Sequence, residues 1–351
     1  MKKLFLSFIL LINIFLIYGC NRDEIINPPV DVFTANGAYI LTEGSGAVGS
    51  AKLSFYNFNN DVYSENISST TLGLFPDGLI FNNHELFLCE QGNFGSAGKV
   101  YKLDTNGFVR NFSSVGTNPY SLTLNTGKLY LTNGPANNVS VLLKDSLETV
   151  TTINVGVYPQ EIISIGNKVF VCNTGVFSGP GDSTVTVIDA ASDVVIATIR
   201  VRKSPSSLAV TNDGKLLVGC PGSVANGIIY KFDPSNYNKL DSFVINNSPA
   251  LGFDKDIAVD RNSNAIYFIT FLNNIAKYDM VTRAHSVFIS NVNTSDDFYY
   301  GYNFDSKNRI HYVTNAKNFL VNGSINIYND NASLIRSFNT GIAPRRIVIK
   351  N

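Results

Sequence analysis

A strand-like run ending in Tyr-Val-Thr-Asn, or a close variant of it, recurs seven times along this chain. Aligned on the third residue, the copies are ILTE (Thr42), FLCE (Cys89), YLTN (Thr132), FVCN (Cys172), LVGC (Gly219), YFIT (Ile269) and YVTN (Thr314). The intervals are 47, 43, 40, 47, 50 and 45 residues. A period of that length predicts a repeat protein, and the unit that fits it is the four-stranded propeller blade. A second series keeps the same phase. Most copies carry a Pro, two variable residues and an apolar residue that opens a strand: PDGL, PYSL, PQEI, PSSL and PRRI, with DKDI and YYGY lacking the Pro. Their apolar anchors are Leu79, Leu122, Ile162, Leu208, Ile257, Tyr302 and Ile347, spaced 43, 40, 46, 49, 45 and 45 residues apart.

Each unit reads as four strands, A to D. In the third they are SLTLNT, KLYLTN, NVSVLLKD and ETVTTINVG, and turns between A and B, such as LNTGK here and TNDGK in a later unit, carry Asn/Asp-Gly chemistry. The first copy begins at strand B (GAYILTE) and the last ends on strand A (RRIVIK). The C-terminal strand must therefore complete the N-terminal sheet, which removes the free edges of an open array. The fold expected is all-β, a seven-bladed propeller over residues 37–351.

The N-terminal segment stands apart. Lys2 and Lys3 precede an apolar run from Leu4 to Gly19, shorter than the ~20 residues of a spanning helix. It ends in Ile17-Tyr18-Gly19-Cys20, which resembles a bacterial lipobox, with Tyr18 where a small residue is usual. Residues 1–19 are expected to be a signal peptide and Cys20 the lipidated N-terminus; a plain signal peptide or an uncleaved anchor is the alternative. Residues 20–36, with Asn27-Pro28-Pro29, suit an extended tether.

With Lys2 and Lys3 set aside, 25 basic residues face 27 acidic ones, which gives no electrostatic ground for nucleic-acid binding. Cys89, Cys172 and Cys220 are an odd number in apolar runs, which favours small buried core residues over a disulfide scaffold.

The repeats resemble the YVTN family of β-propellers over essentially the whole domain. The opening GAYILTEGSGAVGSAKLSFYNF is similar to exported Bacteroidetes lipoprotein propellers. That resemblance implies a monomeric envelope protein, at the outer membrane and on the cell surface, touching the membrane only through its lipid. Some members of that group capture corrinoids and pass them to a TonB-dependent outer-membrane transporter, so a corrinoid is the ligand the resemblance suggests. A protein- or glycan-binding scaffold is the alternative.

In a propeller the B-to-C and D-to-A connections share one face. Here the B-to-C loops are long and Gly-rich, as in EQGNFGSAGK and NTGVFSGPGDS. Long loops on a rigid scaffold are where binding residues concentrate. The candidate ligand residues on that face are Phe75, Phe94, Tyr120, Asn133, Tyr158, Asn173, Phe177, Phe253, Tyr299, Tyr300, Asn315, Phe319 and Arg345. Aromatic rings would supply contact area and amides would fix orientation. Glu43 and Glu90 stand where other repeats have Asn, and Arg346 follows Arg345 at the channel mouth.

Catalysis finds little support at this level. His84, His285 and His311 are scattered, and no Ser-His-Asp set or metal-binding cluster is discernible. The chain has no Trp, unlike the Trp-rich repeats of quinone-dependent dehydrogenases. The expectation is a binding protein, no enzyme, without cofactor or metal. The one catalytic alternative is a site made of Asp, Tyr and Arg alone.

Overall fold

Tight Asn/Asp-Gly turns and alternating apolar residues produce antiparallel hairpins, and the hairpins assemble into seven four-stranded sheets. The computed structural model describes residues 35–350, apart from 177–178, 223–225, 246–247, 249 and 293–295. The expected leader, the lipidation at Cys20 and Phe177 lie outside the described residues. Every regular element among the described residues is a strand.

Six blades are continuous in sequence, each running A, B, C, D from the axis outward. The remaining blade joins the ends: Gly37–Thr42 pairs with Leu53–Asn57 on one side and with Pro344–Lys350 on the other. Tyr39 lies opposite Val348 and Leu41 opposite Arg346. Numbered from this closing blade, the A strands are Pro344–Lys350, Pro76–Asn82, Pro119–Asn125, Pro159–Ile165, Ser207–Val210, Phe253–Val259 and Tyr299–Asp305. They pack side by side around the central channel.

The core lies between blades. Phe87, Cys89 and Val100 of blade 2, for example, pack on Leu122, Leu129 and Leu131 of blade 3. Each such side chain contributes about 1.5–3 kcal/mol when fully buried. Cys89, Cys172 and Cys220 are buried free thiols, as their apolar settings suggested.

The Pro of the second series marks a corner. Phe75, Asn118, Tyr158, Ser204 and Ala343, each just before that Pro, have φ between 46° and 60°. At this corner the pairing slips in six blades, four with the Pro and two without, for example Pro76 opposite Glu90 but Leu79 opposite Leu88. A bulge breaks strict alternation and re-aims side chains. The two residues between Pro and anchor are thereby turned toward the channel mouth.

Blade closure is tight at one of these corners. A Cβ on Gly301 would sit 1.9 Å from the Arg345 carbonyl oxygen and 2.9 Å from Thr314 Oγ1. Backbone cannot yield as a side-chain tip can. Gly301→Ala is expected to cost about 3 kcal/mol, measured by urea unfolding; unchanged stability would mean that the contact between blades 7 and 1 is softer than this spacing requires.

Candidate functional site

The corners that open the seven A strands, six of them bulged, bring together residues that are far apart in the chain. The first residue after each Pro position is Asp77, Tyr120, Gln160, Ser206, Lys255, Tyr300 or Arg345; the second is Gly78, Ser121, Glu161, Ser207, Asp256, Gly301 or Arg346. Five of these fourteen positions carry a carboxylate or a guanidinium, and they pair across the channel mouth. Arg345 makes a two-pronged pair with Asp256, Nη1 to Oδ2 at 2.7 Å and Nη2 to Oδ1 at 3.1 Å. Its Nη1 also donates to the Tyr300 carbonyl at 3.1 Å. Arg346 donates through Nε to Asp77 Oδ1 at 2.6 Å and through Nη2 to Glu161 Oε1 at 2.7 Å. Blade 1 thus reaches blades 2, 4 and 6.

Beneath these pairs lies a cavity of about 210 Å³, lined in part by Glu161, Ser207, Asp256, Arg345 and Arg346. Its volume is below the range usual for drug-sized ligands, so it suits a smaller, polar molecule.

Glu43, at the end of strand B in blade 1, is the titrating group of the site. The Tyr300 hydroxyl donates to its two carboxylate oxygens at 2.9 and 3.1 Å. Burial, with Asp77 nearby, pushes its carboxyl up to about 7, against the opposing pull of Arg345, the Tyr300 hydrogen bond and Arg346. Asp256 moves the other way: burial opposes ionisation, but the Arg345 charge and hydrogen bonds hold its carboxyl below the usual range. Two carboxylates in one mouth are therefore driven apart, a pattern that marks acid–base sites. Tyr120 and Tyr300 are raised by burial, and their rings carry Arg346 at 5.6 Å and Arg345 at 5.3 Å from the ring centres.

The candidates named from sequence divide into groups. Tyr120, Tyr300 and Arg345 line the mouth, and Phe319 meets the Tyr300 ring edge-on at 5.0 Å. Phe94 and Tyr158 form a separate aromatic cavity of about 560 Å³ with Gln160, Thr174, Gly175, Val176 and Ser204. Phe75 is exposed on the same face, with its ring near Gly46.

Two candidates are corrected. Phe253 is fully buried against Phe268, ring centres 5.4 Å apart, in the core between blades 5 and 6. Tyr299 is buried too, its hydroxyl 3.2 Å from that of Tyr328. Tyr299 fills the slot that a buried Pro occupies in other repeats, so the alignment itself carried the signal.

The amides are also placed differently from the expectation. Asn133, Asn173 and Asn315 are buried and committed to their own blades. Asn133 donates to Asn138 and Ser140, and Asn173 to Thr184 and Thr186. Asn173 also accepts from Gly156 N, and Asn315 from Phe298 N. Glu90 does the same for Gly73 N. Glu90, Asn173 and Asn315 thus clamp their D-to-A loops, and close packing at this position explains a Gly three residues before the Pro: a Cβ on Gly73, Gly116 or Gly156 would collide with Glu90, Asn133 or Asn173. Asp77, Glu161, Lys255 and Asp256 were missed. Their signal was the pair of variable residues between Pro and anchor.

No protein-family model matches the chain, and no curated protein matches it in sequence. Solved structures share the fold. A quinonprotein alcohol dehydrogenase-like protein of Bacteroides thetaiotaomicron superposes with a TM-score of 0.70 at 17% identity, over 89% of this chain and 78% of that one. A candidate 6-phosphogluconolactonase of Bacteroides fragilis gives 0.69 at 11% identity, over 92% and 100%. The periplasmic gluconolactonase of Pseudomonas aeruginosa gives 0.65 at 12% identity, over 90% and 99%. These likenesses establish a shared propeller fold. They also correct the expectation that the chain is no enzyme, because propellers of this form bear hydrolase names. That expectation rested on scattered histidines, whereas the mouth assembles carboxylates, tyrosines and arginines.

Proposed function

We propose that the protein is a hydrolase of small, uncharged, hydroxyl-rich lactones or esters, with Glu43 as the group that moves the proton. The observation that carries this is the buried Glu43 carboxyl, held by the Tyr300 hydroxyl at the channel mouth and pushed up to about 7 by burial. As carboxylate it takes a proton from water attacking the carbonyl carbon, and it returns that proton to the ring oxygen as the C–O bond breaks. Arg345 and Arg346 keep positive charge around the carbon where an oxyanion develops. The lactonase names of two structural neighbours support the class of reaction. Glu43, Asp77, Glu161, Asp254 and Asp256 outnumber Lys255, Arg345 and Arg346 at the mouth, which favours an uncharged substrate over a phosphorylated one. We place the domain in the cell envelope, monomeric and tethered through Cys20, in line with its resemblance to exported lipoprotein propellers.

The test is acid release from glucono-δ-lactone above the spontaneous rate, followed in a pH-stat. Wild-type activity should rise through pH 7 as Glu43 ionises, and Glu43→Gln should lower kcat by roughly 10²–10⁴-fold. No acceleration by the wild type, or full activity in the variant, would overturn the assignment.

A second reading, capture of a large flat ligand such as a corrinoid for a TonB-dependent transporter, is favoured by the aromatic cavity between Phe94 and Tyr158. Co-elution of cobalamin with the protein, abolished by Tyr158→Ala, is its expected result.

A further inference from the structure

The cavity between Phe94 and Tyr158 differs in kind from the charged one beneath the mouth. Among the described residues no charged side chain lines it, and its volume of about 560 Å³ falls in the range usual for small-molecule sites. Its two rings are held in place by hydrogen bonds from other loops. Phe94 is 81% exposed, yet its loop is pinned by Asn118 at the corner of blade 3. Asn118 Nδ2 donates to the Gln91 and Asn93 carbonyls at 3.0 and 2.9 Å, and its Oδ1 accepts from Gly95 N at 2.6 Å. Tyr158 N donates to Asn137 Oδ1 at 2.8 Å. The Tyr158 ring packs on Gly134, where a Cβ would come within 3.0 Å of it. Thr174 N donates to the Tyr158 carbonyl at 3.2 Å, and the Thr174 hydroxyl donates to the Pro205 carbonyl at 2.8 Å, which ties this wall to blade 5. A cavity fixed in this way costs a ligand little ordering on binding.

The Gln160 amide and the Ser204 hydroxyl, both on the lining, make no hydrogen bond among the described residues. Aromatic rings beside neutral, unused donors and acceptors suit a pyranose: its C–H face lies on a ring while its hydroxyls bond amide and hydroxyl groups. The lining offers no guanidinium or ammonium to a phosphate or carboxylate. Gln160 and Glu161 are consecutive in the chain. The first lines this cavity; the second lines the charged one and holds Arg346 at 2.7 Å. From this geometry we propose that the aromatic cavity is a subsite for an uncharged sugar ring joined to the lactone. The substrate then has two rings, the lactone at the mouth and a glycosyl ring between Phe94 and Tyr158. Contacts to the ring that does not react hold the lactone in position. The chemistry at the mouth rests on the hydrolase reading, whereas binding of the glycosyl ring does not.

Two measurements test this. Calorimetric titration with methyl β-cellobioside, an uncharged two-ring glycoside that contains no lactone, should show binding, weakened roughly tenfold by Phe94→Ala and by Tyr158→Ala. Phe94 is exposed, so its truncation leaves the core intact. In the pH-stat, kcat/KM for cellobiono-δ-lactone should exceed that for glucono-δ-lactone by roughly tenfold, chiefly through KM, and both variants should shrink that ratio. No heat of binding, binding unaltered in both variants, or one kcat/KM for the two lactones would overturn the proposal. Binding of cobalamin in place of the glycoside would overturn it in favour of the corrinoid reading. Glycoside binding without turnover of either lactone would keep the sugar subsite and remove the hydrolase reading. Turnover of glucono-δ-lactone without glycoside binding would do the reverse.

Discussion

Replacing Arg346 by methionine is expected to lower the unfolding free energy at pH 7 by about 3–5 kcal/mol. The guanidinium bridges Asp77 and Glu161 at 2.6 and 2.7 Å, and Asp77 is only 1% exposed. Methionine fills much of the same volume but leaves both carboxylates without their cation, Glu161 keeping only the Ser121 hydroxyl at 3.3 Å. A single buried pair broken on one side costs this much because the surviving charge stays desolvated. Restoring balance should recover most of the loss: a variant that adds Asp77→Asn and Glu161→Gln removes the orphaned charges along with the arginine. Arg346→Lys should remain weakened, since one ammonium cannot reproduce the fork that reaches two blades. Urea unfolding of the four proteins measures this. A single variant as stable as wild type would mean that the bridge does not hold blade 1 to blades 2 and 4.

The second large effect is the pH dependence contributed by Glu43. Its carboxyl is raised from an ordinary 4.5 to about 7 in the folded protein. The folded state therefore holds the proton more tightly than the unfolded chain does. Below about 4.5 both states are protonated and Glu43 costs nothing. As pH climbs from there through 7, the unfolded chain releases its proton first and stability falls; above 7 the full penalty, roughly 3 kcal/mol, is present. Glu43→Gln removes the titration and keeps an acceptor for the Tyr300 hydroxyl. The variant should match wild type near pH 4 and exceed it by up to roughly 3 kcal/mol at pH 8. Comparing the two at each pH isolates Glu43 from the other titrating groups. An equal offset at every pH would show a packing effect in place of a charge. Gained stability with lost turnover is the signature of a strained functional group.

Most of the fold was legible because it is written in repeats. The strand ends from Thr42 to Thr314 and the anchors from Leu79 to Ile347 keep one rhythm, and a terminal strand B with a terminal strand A leaves a single way to close the ring. The site was legible only in part. The loop-rich face was found, and Tyr120, Tyr300 and Arg345 do meet at the mouth. Phe253 and Tyr299 went astray because an aromatic next to a turn can point into the core as readily as out of it. Asn133, Asn173 and Asn315 resembled a ring of ligand amides, but Asn173 and Asn315 clamp D-to-A loops and Asn133 bonds Asn138 and Ser140 within its own blade.

By itself the sequence determined the blade count, the closure and the face that carries the long loops, since these depend on period and phase. Only the tertiary structure decided that Glu43, Asp77, Glu161, Lys255, Asp256 and Arg346 share one mouth. The bulged corners of six A strands turn the side chains that follow them toward the mouth, and the ring sets blade 1 against blades 2, 4 and 6. Charge pairing and desolvation act through space, so the elevated Glu43 carboxyl and the ion pairs of Arg345 and Arg346 exist only once the seven strands surround a common axis.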